Sequence, residues 1–163
     1  MKPANTIYII MGVSGSGKTT VGALLAKKLG IPFLDGDDYH PKSNIEKMAS
    51  GKPLDDIDRK EWLLTLNQLA KSHLGPGAVI ACSALKKQYR EILRSEIRPY
   101  VKIVFLNGSI EAIRSRMEKR TDHFMPVELL KSQFDALEIP SEAISVSVSL
   151  EPSEIVKHIL NDV

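Results

Sequence analysis

Thr6-Ile-Tyr-Ile-Ile-Met11 is apolar and β-rich, and Gly12-Val-Ser-Gly-Ser-Gly-Lys18-Thr19 follows it without a gap. The first segment predicts a central parallel strand covered on both faces. The second fits G-x-x-x-x-G-K-[ST] at every fixed position, the pattern of a phosphate-binding loop (P-loop). Its glycines let the chain double back so that backbone N–H groups close around phosphate oxygens. Lys18 brings a point charge to the β- and γ-phosphates, and the Thr19 hydroxyl is a ligand for Mg²⁺. Val21, Leu24, Leu25 and Leu29 then recur at helical spacing, with Gly30 as a stop, so a helix dipole points at the same anion. Strand, loop and helix in that order are the context that makes the motif a triphosphate site.

Outward from this unit, strands alternate with helices. Short strands are predicted at Ile31–Asp35, Ala78–Cys82, Val101–Leu106 and Ile144–Leu150. Helices are predicted at His40–Met48, Asp58–Leu74, Lys86–Arg94 and Ile110–Lys119, and a last one opened by Pro152. Alternation of this kind implies a parallel sheet with right-handed crossovers, an open α/β sandwich, and residues 1–163 are expected to form one domain.

Composition excludes several classes. The 22 basic and 20 acidic residues leave a net charge of +2, with no basic tail and no basic–aromatic surface, so no nucleic-acid partner is expected. The apolar run Ile7–Val13 is too short for a signal peptide, has no basic run before it and enters a glycine loop; nothing approaches a membrane span. The single cysteine, Cys82, fits a reducing compartment and reads as a small buried residue rather than a nucleophile.

The acceptor side must come from other strand ends, because ligands of an open α/β sheet bind beyond its carboxyl edge. Leu34-Asp-Gly-Asp-Asp38 with His40-Pro41 stands at one such end. One carboxylate there is suited to support Mg²⁺, another to accept a proton from an attacking hydroxyl. Asp55 and Asp56 read as a helix cap and a dipole partner, while Arg59 is a candidate grip for a substrate carboxylate. Ser83 and Lys86 emerge at the third strand's end, where the plainer alternatives are a helix cap and a solvated base. Arg114, Arg116, Lys119, Arg120, His123 and Phe124 form a basic cluster before Pro126, either a lid that reaches the phosphates or an exposed basic face.

Read together, the segments resemble the gluconokinase family of P-loop small-molecule kinases, close to the shikimate kinases. The resemblance rests on Met11–Thr19, on Leu34-Asp-Gly-Asp37 with His40-Pro41, and on Asn44–Met48, Gly51 and Pro53-Leu54. It continues through Asp58-Arg59, Trp62-Leu63, Cys82-Ser-Ala-Leu-Lys86 with Tyr89-Arg90, His123–Pro126, Ser132-Gln-Phe134 and Leu137-Glu138. It implies a three-layer α/β/α fold with a five-stranded parallel sheet of order 2-3-1-4-5 and a small helical lid. It also implies ATP-dependent phosphorylation of D-gluconate at its 6-hydroxyl, a cytoplasmic enzyme and a homodimer. Carried over by position, Gly12, Val13, Ser14, Gly15, Ser16, Gly17, Lys18, Thr19 and Thr20 bind ATP together with Arg116. Thr19 and Asp35 hold Mg²⁺. Lys18, Asp37 and Arg120 are the catalytic residues. Asp37, His40, Arg59, Ser83, Lys86, Arg90 and Gln133 face the substrate. Glu61 stands where the family pattern has proline, at what reads as a helix start, and Ser141–Ser149 is less acidic than the pattern.

Two alternatives stay beside this reading. One is another small-molecule kinase, shikimate-like or with a nucleotide acceptor; the third strand, however, runs into Ser-Ala-Leu-Lys rather than a glycine run. The other is a P-loop regulatory NTPase, which would need a water-positioning residue and partner-facing loops.

Overall fold

The computed structural model describes residues 6–52, 54–118 and 127–161. In chain order the elements are β1 (Ile7–Met11), α1 (Lys18–Leu29), β2 (Phe33–Asp35), α2 (Lys42–Ala49), α3 (Asp56–Ser72), β3 (Ala78–Ala81) and α4 (Lys87–Arg94). They continue as β4 (Val101–Asn107), α5 (Ile110–Glu118), α6 (Val127–Ala136), β5 (Ile144–Ser147) and α7 (Pro152–Asn161). The strands form one sheet of order β2-β3-β1-β4-β5, and every pairing is parallel. This is the expected fold. No described helix is long and apolar enough to cross a membrane.

β1 is central because it can bury both faces. Its five residues are all buried, and their period of two sorts them into two cores. Tyr8 and Ile10 pack with Val21 and Leu25 of α1 and with Ile155 and Ile159 of α7. Ile7, Ile9 and Met11 pack on the other face with Trp62, Leu63 and Leu66 of α3 and Leu93 of α4. Truncating a side chain of this kind, as in Leu66→Ala, costs about 2–5 kcal/mol. α3 and α4 are further tied by Asn67, whose buried Nδ2 donates to the Leu93 and Ser95 carbonyls at 2.9 and 3.1 Å. That pairing sets Arg59 on α3 against Tyr89 on α4.

Three of the boundaries that differ from the sequence reading have a clear local reason. β2 begins at Phe33 because Pro32 has no N–H for the ladder; only its carbonyl is used, by Val79 N–H. α3 begins at Asp56 rather than Asp58, since Asp55 and Asp58 close a reciprocal capping box. Glu61 therefore lies in the second turn, not at a helix start. β5 ends at Ser147, where the chain turns and frees the Val148 carbonyl for Arg116. α6 is an element the periodicity did not predict.

Candidate active site

The loop Gly12–Gly17 crosses from the carboxyl end of β1 to the first turn of α1. Gly17 caps α1 at φ 97°, in the left-handed region where a side chain is strained. Lys18 Nζ donates to the Gly12 and Val13 carbonyls, 3.1 Å each, and so lies folded over the loop. Desolvation there lowers its pKa, while the nearby Asp37 and Asp35 carboxylates oppose the shift. Thr19 Oγ1 donates to Asp35 Oδ2 at 3.1 Å, joining the start of α1 to the end of β2. A hydroxyl beside a carboxylate is a hard-oxygen pair of the kind Mg²⁺ takes together with phosphates and water. Among the described residues no group of three or more His, Cys, Asp or Glu is arranged to hold a metal alone. Thr20 is exposed at the next position.

The acid string is fixed by its neighbours. Asp35 Oδ1 accepts from Asp37 N–H at 3.0 Å and caps a short 3₁₀ turn, Gly36–Tyr39. Gly36 has no room for a side chain, because a Cβ would stand 2.4 Å from the Ala81 carbonyl oxygen. Its own carbonyl accepts from Trp62 Nε1 at 2.7 Å. Trp62 also stacks on His40, with ring centroids 3.9 Å apart and 20° between planes. Asn44 Nδ2, which donates to the Asp58 carbonyl, lies 3.3 Å from His40 Nδ1, so His40 Nδ1 is the acceptor and Nε2 carries the proton. That Nε2 stands 3.8 Å from Asp37 Oδ1. Burial lowers the His40 pKa, Asp37 opposing and Arg59 adding to the shift, which keeps the ring neutral at pH 7. The Asp37 side chain itself is 78% exposed, open to an incoming group.

The strand β3 end supplies a second wall. Cys82 N–H donates to the Ile10 carbonyl and Gly12 N–H to the Ser83 carbonyl, 3.0 and 3.3 Å, so Ser83 meets the P-loop through its backbone. Ser83 does not cap α4. Glu138 Oε1 does so, accepting from Lys87 N–H at 2.7 Å. Ala84, buried at φ 46°, is one of two described non-glycine residues at positive φ, and the strain lies between the two walls of the site. Cys82 is buried, and burial pushes its thiol up to about 12, so it is not a nucleophile at neutral pH.

A cavity of about 280 Å³, the candidate acceptor site, is lined by Leu54, Asp55, Asp56, Arg59, Lys86 and, from α6, Gln133. Lys86 is not a solvated base: its Nζ is 3.0 Å from Asp56 Oδ1. Asp56 is more than a dipole partner, since it also accepts from Tyr89 Oη and Gln88 Nε2. The Tyr89 and Lys86 hydrogen bonds hold its carboxyl well down, at about 2. Gln133 reaches from this cavity to the P-loop, accepting from Ser14 N–H at 2.7 Å. On the nucleotide side, Arg116 bridges the Gly15 and Val148 carbonyls at 3.3 and 3.1 Å.

Of the expected substrate residues, Arg59, Lys86 and Gln133 line this cavity, Asp37, His40 and Ser83 are not among its lining residues, and Arg90 lies under the β3–α4 turn. Arg90 is 4% exposed and its guanidinium donates to the carbonyls of Ala84, Leu85 and Glu138, at 2.8, 3.2 and 2.9 Å. It pins the Ser-Ala-Leu-Lys segment to residues 137–138, because the β3–α4 turn leaves carbonyls that need buried donors. Arg120, with Lys119, His123 and Phe124, lies outside the described residues. Sequence reasoning missed Asp56, Tyr89, Asn44 and Trp62 as parts of the site. For Tyr89 the available signal was its place three residues after Lys86, within the first turn of α4.

The family model for shikimate kinase matches residues 14–163. A thermosensitive gluconokinase of Escherichia coli is 52% identical over 139 residues, which cover 84% of this chain and 74% of that one. A probable gluconokinase of Mus musculus is 48% identical over 170 residues, covering 91% and 92%. The crystal structure of a gluconokinase from Sinorhizobium meliloti superimposes with a TM-score of 0.91 at 40% identity, over 98% of this chain and 92% of that one. A shikimate kinase of Aquifex aeolicus, TM-score 0.67 at 21% identity over 96% and 95% of the chains, shares the fold. The chain belongs to the gluconokinase family, within the shikimate kinase group of P-loop folds.

Proposed function

We propose that this protein is a gluconokinase: it transfers the γ-phosphoryl group of ATP to the 6-hydroxyl of D-gluconate, giving 6-phospho-D-gluconate and ADP. The observation that carries this reading is the cavity lined by Arg59 and Lys86, with Gln133 joining its wall to the P-loop. Arg59, which meets the neutral Tyr89 hydroxyl, can grip a carboxylate bidentately, while Lys86 is already paired with Asp56. The P-loop amides and Lys18 take the phosphates, and Arg116, already on the loop, stiffens the nucleotide side. Arg120 belongs to the same proposal on sequence grounds, as a lid arginine.

Asp37 orients the 6-hydroxyl. As the O6–Pγ bond forms and the bond from Pγ to the β,γ-bridging oxygen breaks, Asp37 accepts the hydroxyl proton. Neutral His40, stacked on Trp62, sets the position of Asp37 rather than taking the proton itself. Thr19 and Asp35 are the residues that would hold Mg²⁺, whose chemistry when bound is to neutralise charge on the phosphates. The cytoplasmic location and the homodimer implied by the family resemblance complete the proposal; a light-scattering mass twice that of the chain tests the latter.

The decisive experiment is ATP consumption with D-gluconate, D-glucose, shikimate, AMP and no acceptor. Strong turnover with gluconate and little with glucose, which lacks the anion, is expected. Equal use of gluconate and glucose refutes the carboxylate clamp. ATP hydrolysis that ignores every acceptor favours a regulatory NTPase.

A further inference from the structure

Tyr89 stands between two cations. Arg59 Cζ is 5.3 Å and Lys86 Nζ 5.7 Å from the centroid of its ring. Tyr89 is 3% exposed and embedded in the α3–α4 core, so it is a fixed post. Its hydroxyl accepts from Arg59 Nη1 at 3.0 Å and donates to Asp56 Oδ1, which also takes Lys86 Nζ. The direction of this chain is forced. A guanidinium only donates and an ionised carboxylate only accepts, so the single phenol proton must point to Asp56 and a lone pair to Arg59. The cap of α3 needs no help from Asp56, because Asp55 and Asp58 already provide it.

We propose that Asp56 and Tyr89 are positioning residues that aim Arg59 into the acceptor cavity, so that the grip on the acceptor's carboxylate is set before it arrives. This rests on the acceptor reading given above. Preorganisation lowers the cost of ordering a long side chain on binding. Its signature is a loss in acceptor affinity, with phosphoryl transfer and nucleotide binding little changed.

The test is steady-state kinetics of the full chain with Asp56→Asn, Tyr89→Phe, Arg59→Ala and the double variant Tyr89→Phe/Arg59→Ala. Asp56→Asn and Tyr89→Phe should each raise the gluconate KM about tenfold, the scale of one charge-assisted hydrogen bond. Their kcat should stay within about threefold and their ATP KM should not move. The double variant should be no worse than Arg59→Ala, because the tyrosine acts through the arginine. Asp56 is half-exposed, so its variant carries the test even if Tyr89→Phe lowers the melting temperature. A gluconate KM within about twofold of wild type in both single variants overturns the proposal, as does an effect of Tyr89→Phe that multiplies that of Arg59→Ala. A lower KM in Asp56→Asn overturns it too, since Asp56 would then be a competitor for the cations. If the wild type does not use gluconate at all, the acceptor reading fails and takes this relay with it. An active wild type with indifferent variants sinks the relay alone.

Discussion

Gln133 closes two hydrogen bonds on Ser14: its Oε1 accepts from the Ser14 N–H at 2.7 Å and its Nε2 donates to the Ser14 Oγ at 3.2 Å. One side chain of α6 thus holds the turn of the phosphate loop while lining the acceptor cavity. Gln133→Ala should loosen the loop and raise the ATP KM by about 3- to 10-fold, the scale of one or two part-buried hydrogen bonds. Gln133→Glu can still accept from Ser14 N–H but sets a negative charge beside the phosphates, so it should be the worse of the two. ATP titrations of both variants check the order; a glutamate variant that binds ATP better than the alanine one contradicts it.

Lys18→Met keeps most of the side-chain volume and removes the charge. Turnover should fall by at least ~100-fold, because phosphoryl transfer depends on positioning and charge stabilisation. The lysine is desolvated over the loop, so its loss should move the melting temperature by only a few degrees. Single-turnover kinetics and a thermal melt check the pair of outcomes. Near-normal turnover on gluconate removes the P-loop assignment.

Asp35 and Asp37 should separate cleanly. Asp35 is bound to Thr19 and caps the turn, whereas Asp37 is open to solvent. Asp37→Asn cannot take the proton, so kcat should drop by ~10²–10⁴-fold with nucleotide binding intact. Asp35→Asn should instead raise the Mg²⁺ concentration needed for half-maximal rate. A Mg²⁺ titration of each variant decides it, and an exchange of the two behaviours refutes the assignment.

The His40–Trp62 stack gives a pH readout, since Trp62 is the chain's single tryptophan. Burial holds the folded His40 pKa below its ordinary 6.5, with Asp37 opposing and Arg59 adding to the shift. The unfolded chain then binds this proton more readily than the folded one. Stability from this group is complete above pH 6.5 and is lost as the pH falls through the folded pKa. Acidification should change Trp62 emission with a midpoint below 6.5, as the ring over the indole becomes charged. His40→Asn should abolish that step and reduce the acid loss of stability. An emission step that persists in the variant assigns it to another group.

Much of the acceptor site was hidden in the sequence for a definite reason. Arg59 and Arg90 are the same residue type in family-matching strings, yet one lines the cavity and the other sits under the β3–α4 turn holding three carbonyls. Lys86 read equally well as a ligand or a solvated base until Asp56, thirty positions away, was seen against it. Trp62 is a core residue, but its Nε1 also holds the Gly36 carbonyl. Composition and spacing carry no record of which distant group a side chain meets.

The sequence by itself determined the phosphate side and the layer order. Gly12–Thr19 is contiguous, its backbone conformations follow from glycines, and its helix dipole follows from the chain direction. Apolar strands alternating with helices leave a parallel sheet with two covered faces as the way to bury them, and β1 divides its side chains between both. Only the tertiary structure decided the acceptor wall. Asn67 docks α3 on α4 and brings Asp56, Arg59, Lys86 and Tyr89 together, while α6 carries Gln133 back to Ser14 across 119 residues. Those contacts depend on packing between separate elements, where a rotation of one helix exchanges the residue that faces the cavity for one that faces the core.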